Sequence, residues 1–311
     1  MQTVAVLGAG IMGHGIAQIF ASAGHKVRLY DSNIAALDNA VERIVRNLHP
    51  FVESGLMDEA SSQRCIEGIQ VCKELRLACD GCDLVVEAII EDLEIKRRLF
   101  AAVEKLVHAS TVLCTNTSAL SITELGSKLD RPERFVGTHF WNPPHVLPCV
   151  EVVKGRLTSD DVFERVVAVL ERAGKVPVKV HKDIPGFLGN RLQHALQREA
   201  IYLLEQGVCD PEDLDNVVKH GFGLRYALMG PIERADLGGI DVTYAVQKYL
   251  LPYLDARSTP SPLMAEKVQR NELGIKTGQG FYSWTRQKIA DTVERRDKAL
   301  LQIIRLISEM K

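Results

Sequence analysis

Thr3-Val-Ala-Val-Leu7 runs without a break into Gly8-Ala-Gly-Ile-Met-Gly13, and no other stretch limits the fold as strongly. The first five residues have the apolar, β-branched character of a buried strand. Behind the glycines, Ile16, Ile19 and Phe20 recur at helical spacing. Gly24 stops that helix, and His25-Lys-Val-Arg-Leu-Tyr30 forms a second strand that ends at Asp31. A glycine triplet of this spacing is a weak signal alone and a strong one inside a βαβ unit. Gly8 permits the tight turn, Gly10 lets backbone approach a pyrophosphate, and Gly13 lets helix and strand pack closely. Amides near Ile11 and Met12 then face the phosphates at the helix N-terminus. Asp31 offers a carboxylate to the adenosine ribose hydroxyls and repels a 2′-phosphate, so the expected cofactor is NAD rather than NADP. The competing reading, a glycine-rich turn with no ligand, does not explain the context.

Strand and helix patterns keep alternating through Val180. Asp83–Ile89, Thr111–Thr115, Phe135–Thr138, Val150–Val153 and Val176–Val180 read as strands. Ile34 to about Leu77 reads as amphipathic helix, interrupted at His49-Pro50 and Ser54-Gly55. Glu91–Phe100 opens a helix with acids in its first turn, as the macrodipole prefers, and Asp160–Ala173 is another. This alternation predicts a parallel, doubly wound α/β sheet of the Rossmann type. Past Asp183 no alternating pattern recurs. Pro185-Gly186 opens a helical run to Gln206, Asp210-Pro-Glu-Asp213 caps another, and further helices are expected over 240–253, 261–270 and 287–309. The expected domains are residues 1–183, the dinucleotide-binding sheet, and 184–311, an all-helical C-terminal domain.

Composition narrows the function classes. A chain of 311 residues suits two domains, and a formal net charge of -2 gives no electrostatic reason to bind nucleic acid or an anionic membrane. Seven cysteines at scattered spacings suggest reduced thiols in a cytosol-like compartment. Cys79-Asp-Gly-Cys82 lacks a second pair, so it reads as two small buried side chains beside a turn, and no metal is expected. No stretch approaches the roughly 18 apolar residues of a membrane span, and no basic leader is evident. The expected location is cytoplasmic.

The chemistry centres on Thr138-His-Phe-Trp-Asn-Pro-Pro-His-Val-Leu-Pro-Cys-Val-Glu151. Pro143, Pro144 and Pro148 forbid regular pairing between two strand runs. The chain must therefore turn back, which can bring Glu151 beside His139. A carboxylate against an imidazole fixes the tautomer and stabilises the imidazolium, as a general base requires. Ser118 follows another strand, and ligands of open α/β sheets sit beyond those strand ends. Asn190 could close over the same space. The set suits hydride transfer from a secondary alcohol, with His139 taking the hydroxyl proton and Ser118 and Asn190 holding the oxygen. A Ser-His-Glu hydrolase is the rival, but Asn116-Thr-Ser-Ala-Leu120 lacks a nucleophile elbow and hydrolysis needs no dinucleotide fingerprint.

Taken in order, several motifs resemble those of the L-3-hydroxyacyl-CoA dehydrogenase family. They are Gly8–Gly13, Val85-Val-Glu-Ala-Ile89, Asn116-Thr-Ser118, His139-Phe-Trp-Asn142, Pro185-Gly-Phe-Leu-Gly-Asn190, Met229-Gly-Pro231 and Lys276-Thr-Gly-Gln-Gly-Phe-Tyr282. The resemblance implies that His139 and Glu151 are the catalytic pair, with Ser118 and Asn190 on the substrate. It also implies cofactor contacts from Asp31, Glu91, Lys96, Ser118, Asn142 and Lys276. On the residues alone, Glu91 and Lys96 read equally as a solvated helix face, Asn142 as a turn residue and Lys276 as a loop charge. A homodimer formed through the helical domain, and a place in fatty acid metabolism, are further implications.

The substrate implied first is an L-3-hydroxyacyl-CoA. Family members that act on CoA esters hold the nucleotide partly through a serine and a lysine in a lysine-rich helical segment after the second strand. Here no lysine occurs between Val27 and Cys72, and Asn47 and Ser54 lie near those positions. Asn142-Pro-Pro-His145 and Arg295-Arg-Asp-Lys-Ala-Leu300 are similar instead to the gulonate dehydrogenase and lambda-crystallin branch and to pyridoxine-degrading dehydrogenases. The alternative substrate is therefore a free polar hydroxy acid or alcohol, such as a sugar acid or a pyridine derivative. A catalytically silent NAD-binding or structural protein is a further class, against which the intact quartet of Ser118, His139, Glu151 and Asn190 argues.

Overall fold

The computed structural model describes residues 2–309. Its first unit is organised by an eight-stranded sheet in the order β3-β2-β1-β4-β5-β6-β7-β8. The strands are β1 (Thr3–Leu7), β2 (Lys26–Tyr30), β3 (Ile69–Cys72), β4 (Leu84–Glu87), β5 (Val112–Thr115), β6 (Phe135–Phe140), β7 (Cys149–Val153) and β8 (Val176–Val180). Side chains alternate between faces, and each face has its own core. Val4 and Val6 pack with Ile16, Phe20, Leu48 and Val166 from helices Gly13–Ser22, Ala40–Glu53 and Asp160–Arg172. Ala5 and Leu7 join Phe100 and Phe135 on the other side. Strands β4, β5 and β6 are covered on both faces, which is why they read as continuous apolar runs.

The expected α/β class is borne out, with three local differences. Ile69–Cys72, read from sequence as helix, is the edge strand β3, set by pairing with Val27–Tyr30 rather than by any pattern of its own. Pro50 lies inside the helix Ala40–Glu53 instead of ending it. The sheet is not wholly parallel, because β6 and β7 pair antiparallel, while β8 returns parallel to β7.

By compactness the chain forms two units. The first includes everything up to Asn190, together with Asp297–Arg305 from the last helix. Gly186 and Phe187 have φ of 77° and 50°, so the chain turns there and the helix begins only at Gly189. Phe187 is buried in the sheet core, which keeps this turn with the first unit. Leu301 is buried, and the Arg305 guanidinium donates to the Ser54 carbonyl at 3.2 Å.

The second unit, Arg191–Arg296 with the end of the chain, is helical as expected. Its elements include Pro211–Val217, Pro231–Gly238, Ile240–Leu250 and Pro262–Gln269, and isolated bridges join Gly274, Gln279 and Ser283. Among its described residues no apolar side chain is buried. Its enclosed groups are polar. Arg257 bonds Asp255 and Glu205, Ser261 donates to Glu205, and the Asp255 amide donates to Glu199.

Candidate active site

The dinucleotide turn takes the form its glycines dictate. Gly8 has φ of 108°, and a Cβ there would lie 2.5 Å from the Ala88 carbonyl oxygen. A Cβ on Gly13 would lie 1.7 Å from the Gly8 carbonyl oxygen, so helix and turn close only without a side chain. At Gly10 a Cβ would meet nothing within 4 Å; that open face is where a pyrophosphate fits against backbone. The helix Gly13–Ser22 begins with no side-chain cap, and Ile11 just before it is exposed, as an anion-binding helix start requires. Asp31 stands at the end of β2. One of its oxygens accepts from the Ala9 amide at 2.7 Å and the other from Asn33 at 2.8 Å, which fixes the carboxylate at the edge of the turn. These residues fit a dinucleotide.

Strands β6 and β7 carry the catalytic candidate. His139 and Glu151 are direct partners in the β6–β7 register, so their side chains leave the same face. His139 Nδ1 is 2.8 Å from a Glu151 oxygen, and both residues are buried. The second Glu151 oxygen accepts from the amides of Leu188 at 2.9 Å and Gly189 at 3.0 Å. Burial raises the Glu151 carboxyl, but the hydrogen bonds from His139, Gly189 and Leu188 outweigh it and hold the group below its ordinary range. An ionised Glu151 keeps the ring proton on Nδ1 and leaves the lone pair of Nε2 available. The rings of Trp141 and Phe187 flank the imidazole at centroid distances of 5.3 and 5.8 Å. A Cβ on Gly189 would strike the Trp141 ring at 2.2 Å, so this helix can start there only with glycine.

A carboxylate whose folded value is lowered stabilises the native state above its unfolded value and loses that effect as pH falls through the folded one. The contribution of Glu151 should thus be complete above about pH 4.5 and fade below it. Urea melts of Glu151→Gln and the parent chain between pH 3 and 7 should show a gap that narrows on the acid side. A gap independent of pH would contradict this reading.

Ser118 and Asn190 are brought to the same place. Asn190 follows the Gly189 amide held by Glu151, and its side-chain amide donates to the Ser118 carbonyl at 2.9 Å. The Ser118 amide in turn donates to Glu91 at 2.8 Å. Asn142 is exposed in the turn after β6, next to the cis bond to Pro143. Lys96 is not a solvated helix residue: it is 1% exposed, with its ammonium 2.6 Å from Glu87 and 3.3 Å from Glu91. Lys276 belongs to the second unit, exposed in the Gly274–Gln279 turn. Cys79 and Cys82 are buried, and desolvation pushes their thiols up to about 11 and about 12.

Two contributors had no legible signal. Lys175 donates to the carbonyls of Pro144 and Leu147 at 2.7 and 3.0 Å, pinning the proline turn, and burial lowers its ammonium to about 8. Glu87 looked like part of an apolar strand but is a fully buried carboxyl that burial pushes above its ordinary range, with the Lys96 ammonium acting against that shift. Asn47 and Ser54 are engaged within the protein. The Asn47 amide donates to Gln18 at 3.1 Å and reaches His145 Nδ1 at 3.4 Å, while the Ser54 carbonyl receives Arg305.

The NAD-binding-domain model of 3-hydroxyacyl-CoA dehydrogenase matches residues 3–184, and the C-terminal-domain model of the same enzyme matches residues 186–284. The 5-formyl-3-hydroxy-2-methylpyridine 4-carboxylate 5-dehydrogenase of Mesorhizobium japonicum is 33% identical over 309 residues, 99% of this chain and 98% of that one. A crystal structure of an enzyme of that name, described as an NAD+-dependent dismutase, superposes with a TM-score of 0.93 at 32% identity and covers 99% of both chains. A probable 3-hydroxybutyryl-CoA dehydrogenase of Bacillus subtilis is 37% identical over 285 residues, 91% of this chain and 98% of that one.

Proposed function

The chain belongs to the 3-hydroxyacyl-CoA dehydrogenase family and is an NAD-dependent dehydrogenase acting on CH–OH donors, and from that premise we propose that His139 is its general base, steadied by Glu151. The observation that carries this is the 2.8 Å bond between Nδ1 and the carboxylate at directly paired strand positions. Nicotinamide, when bound, supplies the hydride acceptor. Nε2 of His139 takes the hydroxyl proton, and Glu151 stabilises the imidazolium that results. The Ser118 hydroxyl and Asn190 amide hold the substrate oxygen. Trp141 and Phe187 restrict water around the ring. The Gly8–Gly13 turn and Asp31 hold the dinucleotide, with Asn142 as a further cofactor contact.

The substrate we propose is a compact hydroxy compound without CoA, such as a pyridine derivative or a sugar acid. Support comes from the pyridine-carboxylate relative, which matches 99% of the chain, and from the helix Arg286–Glu309, which lies beyond the family model that ends at residue 284. The internal engagement of the Asn47 side chain by Gln18 and of the Ser54 hydroxyl by the Phe51 carbonyl agrees with it. The second reading, an L-3-hydroxyacyl-CoA, is favoured by the 37% identity to the Bacillus relative. Following NADH at 340 nm with 3-hydroxybutyryl-CoA and with a panel of unesterified hydroxy acids and pyridine alcohols separates the two. The free compounds are expected to give the larger kcat/KM, and a preference for the thioester would overturn that choice.

A homodimer is also part of this reading. Ile232, Leu237 and Tyr249 are 77%, 76% and 73% exposed, and the helical unit has no buried apolar side chain among its described residues. Helices amphipathic enough to fold yet left without a core are stabilised by burial against a second copy. Among the described residues no helix is long and apolar enough to cross a membrane.

A further inference from the structure

Ala9, between the first two glycines of the dinucleotide turn, is gripped on both sides. Its amide donates to the Asp31 carboxylate at 2.7 Å, and its carbonyl accepts from the Arg43 guanidinium at 2.7 Å. The amide belongs to the peptide that joins Gly8 to Ala9, and the carbonyl to the peptide that joins Ala9 to Gly10. Because each peptide is planar, the two bonds together orient both planes of the turn. Arg43 projects from the helix Ala40–Glu53. The nitrogen that reaches Ala9 also donates to the Ala36 carbonyl at 2.9 Å, and Nε donates to the Asn39 carbonyl at 3.4 Å. All three acceptors are neutral. Among the described residues no carboxylate lies within 4 Å of this half-buried guanidinium, whereas nearby Arg46 pairs with Glu42 at 3.8 Å. A guanidinium is charged at every pH a protein meets, and taking it out of water without an anion is costly. Its field is felt across the turn. Burial lowers the His14 imidazole, whose Nδ1 is 2.6 Å from the Gly10 carbonyl, and the positive charges of Arg43 and Arg46 push it the same way.

We propose that Arg43 belongs to the cofactor site: it sets the Ala9 carbonyl and supplies the positive charge that draws the adenosine diphosphate half of NAD onto the turn. The proposal rests on the reading that the Gly8–Gly13 turn and Asp31 hold the dinucleotide. Asp31 puts a full negative charge at the edge of a site that must receive a pyrophosphate. The first amides of a helix offer only about half a positive charge in return. Arg43, fastened to the same residue as Asp31, restores the balance. Its fork has one terminal nitrogen spent on backbone carbonyls, while Nη1 has no acceptor among the described residues and is the prong an anion would use.

The test measures binding and turnover separately. Arg43→Met keeps an aliphatic stem and removes the charge. The Kd for NAD, from protein fluorescence, should rise by about 10–100-fold, and the Kd for ADP by a similar factor. The KM for NAD should follow, while kcat at saturating NAD stays within about threefold of the parent. Raising NaCl from about 0.05 to about 0.5 M should weaken ADP binding to the parent more than to the variant, so that the gap narrows. A group that merely tied the helix to the turn would leave that gap independent of salt. Either a salt-independent gap or an unaltered Kd for NAD and ADP would overturn the proposal, as would a fall in kcat with binding intact. If Arg43→Met does not fold, Arg43→Gln, which keeps a donor and drops the charge, takes its place with the same expected outcomes. Asp31→Ala separates the underlying reading from this one. Undiminished NAD affinity there would remove the turn and Asp31 from the dinucleotide site, whereas weakened affinity there beside an unaltered Arg43→Met would remove Arg43 alone.

Discussion

His139→Gln should lower kcat by about 10²–10⁴-fold and leave the Kd for NAD within about threefold of its starting value. Glutamine preserves a polar group of similar reach but cannot accept a proton at neutral pH. The proposed contacts of the dinucleotide are centred on the Gly8–Gly13 turn and Asp31, and the His139 side chain is not among them, so affinity should survive. Glu151→Gln should produce a smaller loss, because the ring remains and only its tautomer and the cation's stabilisation are disturbed. The amides of Leu188 and Gly189 retain an acceptor in the glutamine carbonyl, so this variant should still fold. Stopped-flow or steady-state NADH formation, with NAD binding measured separately, distinguishes these outcomes. Retained turnover in His139→Gln would remove this residue from the base role and return Ser118 and Asn190 to consideration without a proton acceptor.

A second large effect is expected from the helical unit. Ile232→Asp combined with Tyr249→Asp should convert the proposed dimer to monomer and lower the melting temperature by many degrees, although neither position is buried within one chain. Obligate homodimer interfaces commonly bury about 2,000–5,000 Å², and charges placed in such a surface are desolvated without partners. Sedimentation velocity of the parent chain should give twice the 34.5 kDa chain mass, and the double variant should sediment as a single chain with loss of helical signal. A parent that is monomeric at micromolar concentration would show that the exposed apolar helices are covered in some other way. The polar network of Glu199, Glu205, Asp255, Arg257 and Ser261 cannot substitute for an apolar core, because hydrogen bonds and ion pairs between polar groups remove little apolar surface from water.

How much of this was legible before any coordinates can be judged element by element. β1 coincides with the run Thr3–Leu7, because a buried strand writes itself as a short apolar run bounded by glycine or a helix cap, and β8 coincides with Val176–Val180, an edge strand of which only Val180 is buried, because its valines alternate and Gly174 separates it from the helix before it. β3 was illegible: at the sheet edge, half exposed, it shows too little apolar contrast to differ from the helices around it. Pro50 misled for another reason. Its missing amide hydrogen bond falls in the last turn of an already nucleated helix, where packing of Ile44 and Leu48 in the core outweighs the loss.

The sequence by itself determined the class of sheet, the NAD fingerprint and the residue types of the catalytic candidate. Each of these depends on local spacing or on a side chain that no neighbour can replace. Only the tertiary structure decided what each group does with its hydrogen bonds. Antiparallel register put Glu151 opposite His139, the turn at Gly186-Phe187 brought the Leu188 and Gly189 amides onto that carboxylate, and burial turned Lys96 from an apparent surface charge into the link between Glu87 and Glu91. Such pairings join residues that are far apart along the chain, and their energies depend on distance and on exclusion of water, neither of which a linear pattern of residues contains.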